Sequence, residues 1–98
     1  MSILVRNFSD FQDFIKNSKL LTKYNLDKLG VFGSFARKEI NFHDIDILVE
    51  KEIDLHSALS LKDDLEKGMN LKVDLVLKKY ANPIILHRAK KDLIYVKE

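Results

Sequence analysis

The chain has 98 residues, of which 46% are hydrophobic and 33% charged, with a formal net charge of +2. This length suits one core and leaves too little chain for a second, so residues 1–98 are expected to fold as a single domain. The lack of cysteine excludes a disulfide framework, a thiolate zinc site and a cysteine nucleophile, and no stretch approaches the roughly 18 to 20 apolar residues of a membrane span. A cytoplasmic protein without membrane contact is the expectation.

Phe8, Phe11, Phe14, Ile15, Leu20 and Leu21 recur near helical spacing, which predicts a core-facing helix over 9–22 with Ser9 or Asp10 as N-cap. "NLDKLGVFG" then reads as a turn and a short buried strand, Leu29 to Phe32, ended by Gly33 and Ser34, with "SFARKE" opening a short helix. "DIDILVE" has the β-branched content and alternation of a second strand. Leu55, Ala58, Leu59, Leu65 and Met69 mark one face of a following helix, and Gly68 is expected near its end. Asp54, Asp63, Asp64 and Glu66 fall off that face and read as solvated.

"LKVDLVL" gives a third strand. In "ANPIILHRAKK", Asn82 as N-cap and Pro83 at the first helical position start a last helix, while "LIYV" fits either a strand or a final helical turn. Residues 78 to 98 carry six Lys or Arg against two acids, so the basic end is C-terminal; it reads as a solvated helix face, with assistance to triphosphate or partner binding by Arg88, Lys90 and Lys91 as the alternative. The order of elements predicts an α/β (α+β) domain with a small sheet covered by helices.

Asp44 and Asp46 interrupt an otherwise apolar strand two residues apart, so they project from one face while Ile45 and Ile47 project from the other. Paired carboxylates repel and lose hydration unless a cation compensates. Hard oxygen ligands favour Mg2+, with Mn2+ as the alternative, and Mg2+ commonly shares its coordination with substrate phosphate. Asp74 interrupts "KVDLV" in the same way, and a third acid on an adjacent strand would let the set hold two ions, as in-line phosphoryl or nucleotidyl displacement requires. At the Gly33-Ser34 turn, backbone amides and the Ser34 hydroxyl suit phosphate.

Together "GSFARKE", "DIDILV" and "KVDLV" resemble the minimal nucleotidyltransferase family of the DNA polymerase β superfamily, over about Leu29 to Val76. The resemblance implies the family's nucleotidyltransferase fold, Gly33 and Ser34 on the nucleotide triphosphate, and Asp44, Asp46 and Asp74 as catalytic metal ligands. Arg37 matches the family's "ARxE" region, where it either contacts phosphate or braces the turn through an ion pair. Two departures stand out: the nine residues between Ser34 and Asp44 are one fewer than the family's common spacing, and Lys38 and His43 replace a glycine and a serine. His43, His56 and His87 read as ordinary exposed or structural histidines.

Members are typically prokaryotic and transfer a nucleoside monophosphate, often AMP from ATP, and many pair with a helical HEPN-type toxin as its antitoxin. The resemblance therefore implies an Mg2+-dependent enzyme that transfers AMP to a hydroxyl of a partner protein within a hetero-oligomer. Direct nucleic-acid binding is not expected. The alternatives are a non-catalytic scaffold that covers its toxin, and transfer to a small molecule.

Overall fold

The computed structural model describes residues 5–39 and 44–98. Two helices open the chain, α1 (Phe8–Ser18) and α2 (Leu20–Lys23), followed by strand β1 (Leu29–Phe32), the one-turn helix α3 (Gly33–Ala36) and strand β2 (Asp44–Val49). Helix α4 (Leu55–Met69) leads into strand β3 (Lys72–Leu77). A short 3-10 turn at Lys78–Tyr80, helix α5 (Pro83–Asp92) and strand β4 (Ile94–Val96) complete the fold.

The sheet runs β3-β2-β1-β4; β2 and β3 are parallel, and β1 is antiparallel to both β2 and β4. The parallel pair requires a crossover, which α4 provides while covering β3. Ile45 and Ile47 point into the main core with Phe11, Ile15, Leu61, Leu65 and Met69, all essentially inaccessible to solvent. On the opposite face, which Asp44, Asp46 and Leu48 share by alternation, α5 lies across β1 and its Ala89 is buried. One face of the sheet thus carries the core and the other is partly open.

The predicted helix over 9–22 is two helices. Lys19 adopts a left-handed backbone, φ 59, which ends α1 and re-aims the chain so that Leu20 and Leu21 are buried from α2. The N-cap is Asn7, whose side chain accepts from the Asp10 amide at 2.9 Å, rather than Ser9 or Asp10. On α4 the buried stripe is Ala58, Leu61, Leu65 and Met69, whereas Leu55 and Leu59 are 65% and 60% exposed. The apolar face is rotated from the predicted one because Leu59 lies about 100° around the helix from Ala58.

Gly68 lies near the end of α4 as expected, and Asn70, at φ 55, caps the helix. A Cβ on Gly68 would come within 2.4 Å of the Phe14 ring, so glycine there lets α1 pack closely on α4. The acids read as solvated have specific partners. Asp54 caps α4 by accepting from the Ser57 amide, Asp64 accepts from the Tyr24 hydroxyl at 2.6 Å and from Lys23 at 2.8 Å, and Glu66 accepts from the Val73 amide. Asp63 alone of the four meets only a surface lysine, Lys67. Asn82 and Pro83 start α5 as predicted, and "LIYV" resolves as strand β4. Among the described residues no helix is long and apolar enough to cross a membrane.

Candidate active site

The parallel register sets Asp46 opposite Asp74, with Asp44 opposite Lys72. Phe32, the last residue of β1, faces Asp46 from the other side. Asp44 and Asp74 are exposed, while Asp46 is half-buried. Burial, then the charges of Asp74 and Asp44, push the Asp46 carboxyl up from the ordinary carboxylate value to about 6, against a smaller opposing pull from Arg37. Burial thus leads the shift, and the neighbouring carboxylates add to it.

Directly after β1 the chain turns into α3 through Gly33 at φ 76, in the region that disfavours any residue with a Cβ. A Cβ there would stand 2.1 Å from Asp46 Oδ2, so the turn and the carboxylate occupy adjoining space that only glycine leaves open. The turn is anchored from below by Phe35, which is 2% exposed and packs edge-on against Phe11 with ring centroids 5.8 Å apart. Burying such a ring contributes about 1.5–3 kcal/mol, which fixes the position of Gly33 and Ser34. Ser34 lies in the first turn of α3, half-buried, its carbonyl accepting from the Glu39 amide.

Arg37 follows α3 and is held by two carboxylates: its Nε donates to Glu39 at 2.6 Å and its Nη1 to Asp92 at 2.8 Å. The second bond ties α3 to the last turn of α5. A cleft of about 260 Å³ opens here, with Phe32, Gly33 and Asp46 as its floor, Arg37 beside them, and Ile85, Arg88, Ala89 and Asp92 of α5 as its wall. The wall residues follow i, i+3, i+4, i+7 spacing, the one face of α5 turned to the sheet. Sequence reasoning missed Asp92 and Ile85, and weighed Arg88 only as part of a basic stretch. The helical spacing from Ile85 to Asp92 was the available signal, but nothing in the sequence says which face of α5 meets the sheet.

A larger hollow of about 440 Å³, lined by Arg6, Phe8, Gln12, Phe35 and Lys38 among others, contains none of the three acids. His43 lies outside the described residues. His56 and His87 are exposed.

The donor set on this face is all oxygen, and the strain on Asp46 is of the kind a divalent cation relieves, so the residues fit Mg2+ or Mn2+ in chemistry. Among the described residues no three carboxylate or imidazole groups are drawn close enough to ligate one ion as a set. The structure thus brings Asp46 and Asp74 together and leaves Asp44 on the same face at the exposed start of β2.

Residues 15–98 match the family model described as Polymerase beta, Nucleotidyltransferase. The chain is 38% identical over 98 residues to a Methanocaldococcus jannaschii protein named a putative protein adenylyltransferase, with 94% of this chain and 100% of that protein covered. It is 35% identical over 81 residues to the protein adenylyltransferase MntA of Thermococcus cleftensis, covering 80% and 82%. Among solved structures, a toxin-antitoxin complex of MntA with HpeT carrying a Y104A mutation matches at a TM-score of 0.67 and 25% identity, over 83% of this chain and 68% of that one. A complex of a tri-AMPylated Shewanella oneidensis HEPN toxin with its MNT antitoxin matches in fold, at a TM-score of 0.60 and 23% identity, over 86% and 70%. With the Gly-Ser turn set against acids on two adjacent strands, and that agreement over nearly its whole length, the chain belongs to the polymerase β-type nucleotidyltransferase family.

Proposed function

We propose that the chain transfers AMP from ATP to a hydroxyl of a partner protein, and that the partner is a helical HEPN-type toxin which the modification silences. The observation that carries this reading is the placement of Asp46 beside Asp74 at one register of β2 and β3, with the Gly33 turn in contact with Asp46. Such a site sets a phosphate seat beside an acid pair of which one member, Asp46, lines the cleft. Protein as the acceptor is supported by relatives named protein adenylyltransferases, one of them matched over its full length. A toxin as that protein is supported by the toxin-antitoxin complex of similar fold.

In this mechanism Gly33 and Ser34 receive the triphosphate, the glycine by admitting it close to backbone and the serine by donating its hydroxyl. Asp44, Asp46 and Asp74 would hold Mg2+, which when bound supplies charge neutralisation of the triphosphate and lowers the pKa of the attacking hydroxyl. Asp74, the more exposed member of the facing pair, stands on the acceptor side and takes the hydroxyl proton. The acceptor oxygen bonds to the α-phosphorus as the bond to the bridging oxygen breaks, and pyrophosphate leaves.

Incubation of the chain with ATP labelled at the α-phosphate, Mg2+ and a HEPN-type toxin, the product of the neighbouring gene being the first to try, tests the reading. Label is expected on the toxin. Label that persists with Asp44→Ala plus Asp46→Ala would overturn the assigned site, and label that stays off the toxin would overturn the acceptor.

A further inference from the structure

The cleft wall offers two arginines, and the structure treats them differently. Arg37 is committed to Glu39 and Asp92 at 2.6 and 2.8 Å, and Asp92 is in turn neutralised by it. Arg88, one helical turn before Asp92 on the same face of α5, lines the cleft with Gly33 and Asp46. Among the described residues it takes part in no salt bridge and no hydrogen bond. It is exposed, so its guanidinium is solvated and able to meet a ligand.

Of the two cations that line the cleft, Arg37 is neutralised by Asp92 and Glu39, whereas Arg88 is left without an acidic partner among the described residues, and Asp46 faces the like charge of Asp74. A polyanion entering the cleft brings its charge to Arg88. The planar guanidinium donates in pairs to the oxygens of a phosphate, which a lysine ammonium cannot reproduce. The cleft floor at Gly33 and Asp46 is where the reacting phosphorus belongs, and Arg88 stands on the opposing wall.

We infer that Arg88 is a nucleotide-binding residue that grips the terminal phosphates of the triphosphate from α5 and so selects a nucleoside triphosphate over a monophosphate. This rests on the proposed nucleotidyl transfer and deepens it, because retention of the departing pyrophosphate end aligns the α-phosphorus on the floor of the cleft. Arg37, in contrast, remains a brace between α3 and α5.

Calorimetric titration of the full chain with AMP-PNP and with AMP, each in Mg2+, tests the assignment. Arg88→Ala is expected to weaken AMP-PNP binding by roughly 10- to 100-fold, the effect of losing a charge-assisted pair of hydrogen bonds, and to leave AMP binding within about twofold of wild type. Arg88→Lys should recover only part of the loss. Lys90→Ala, which removes an exposed charge from the same helix outside the cleft, should change neither ligand.

Unchanged AMP-PNP affinity in Arg88→Ala, an equal loss for AMP and AMP-PNP, or an equal loss in Lys90→Ala would each overturn the assignment while leaving the proposed transfer intact. Absence of AMP-PNP binding by the wild-type chain would overturn both. Should Arg88→Ala fold poorly by circular dichroism, Arg88→Gln carries the same expectation with more of the side chain's packing retained.

Discussion

Gly33 and Asp46 share one space: a Cβ on the glycine would lie 2.1 Å from the carboxylate oxygen. Gly33→Ala meets two obstacles at once, the left-handed φ of 76 and the displaced carboxylate. The strain costs about 1–3 kcal/mol, which chemical denaturation would read. Displacing Asp46 by the better part of an ångström is expected to lower nucleotidyl transfer roughly 100-fold. An active, equally stable Gly33→Ala would show that the turn and the carboxylate are not coupled.

The raised Asp46 carboxyl makes a prediction about stability without metal. An Asp whose folded value is about 6 keeps its proton when the unfolded chain, with an ordinary value near 3.8, has lost it. The contribution of this carboxyl to stability in EDTA is therefore full below about pH 4, falls as pH rises toward 6, and stays lost above it. At pH 7, Asp46→Asn should be more stable than wild type by about 1–2 kcal/mol, after allowance for solvent screening at a half-buried site, and should flatten that pH dependence. A variant less stable than wild type at pH 7 would mean that Asp46 is held by attractions that outweigh its neighbours' repulsion.

Addition of Mg2+ or Mn2+ at pH 7 should reverse the order. A divalent ion that binds only the folded chain stabilises it by about 2.7 kcal/mol at 100 times its dissociation constant. Wild type is expected to gain thermal stability with either ion, whereas Asp46→Asn and Asp74→Asn gain little. Equal gains in all three would place the ion elsewhere on the chain.

The strands and the acids were legible in the sequence because both follow short-range rules. Two-residue alternation puts Asp44 and Asp46 on one face, and Asn82-Pro83 marks a helix start by local chemistry. What stayed hidden depends on distant partners. Nothing local tells that Asp92 will meet Arg37 across 55 residues, that Asp64 will take the Tyr24 hydroxyl, or that Gly68 exists to admit Phe14. The break at Lys19 was missed for another reason: a lysine in left-handed conformation carries no sequence signal, and the apolar residues on either side continue the helical spacing.

Lys38 is the second such lysine, and it gives a prediction that runs opposite to those for the site. It stands at φ 63, two residues beyond α3, where the family pattern has glycine. A side chain in that conformation costs about 1–2 kcal/mol, whereas glycine adopts it freely and loses about 0.5–1 kcal/mol through the greater freedom of its unfolded chain. Lys38→Gly should therefore stabilise the protein by up to about 1 kcal/mol in denaturant unfolding, and Lys38→Val should destabilise it, since a β-branched residue tolerates this region least. The exposed lysine makes no ion pair among the described residues, so no lost ion pair offsets the gain. A Lys38→Gly variant that unfolds earlier than wild type would show that the lysine side chain contributes more than its backbone conformation costs.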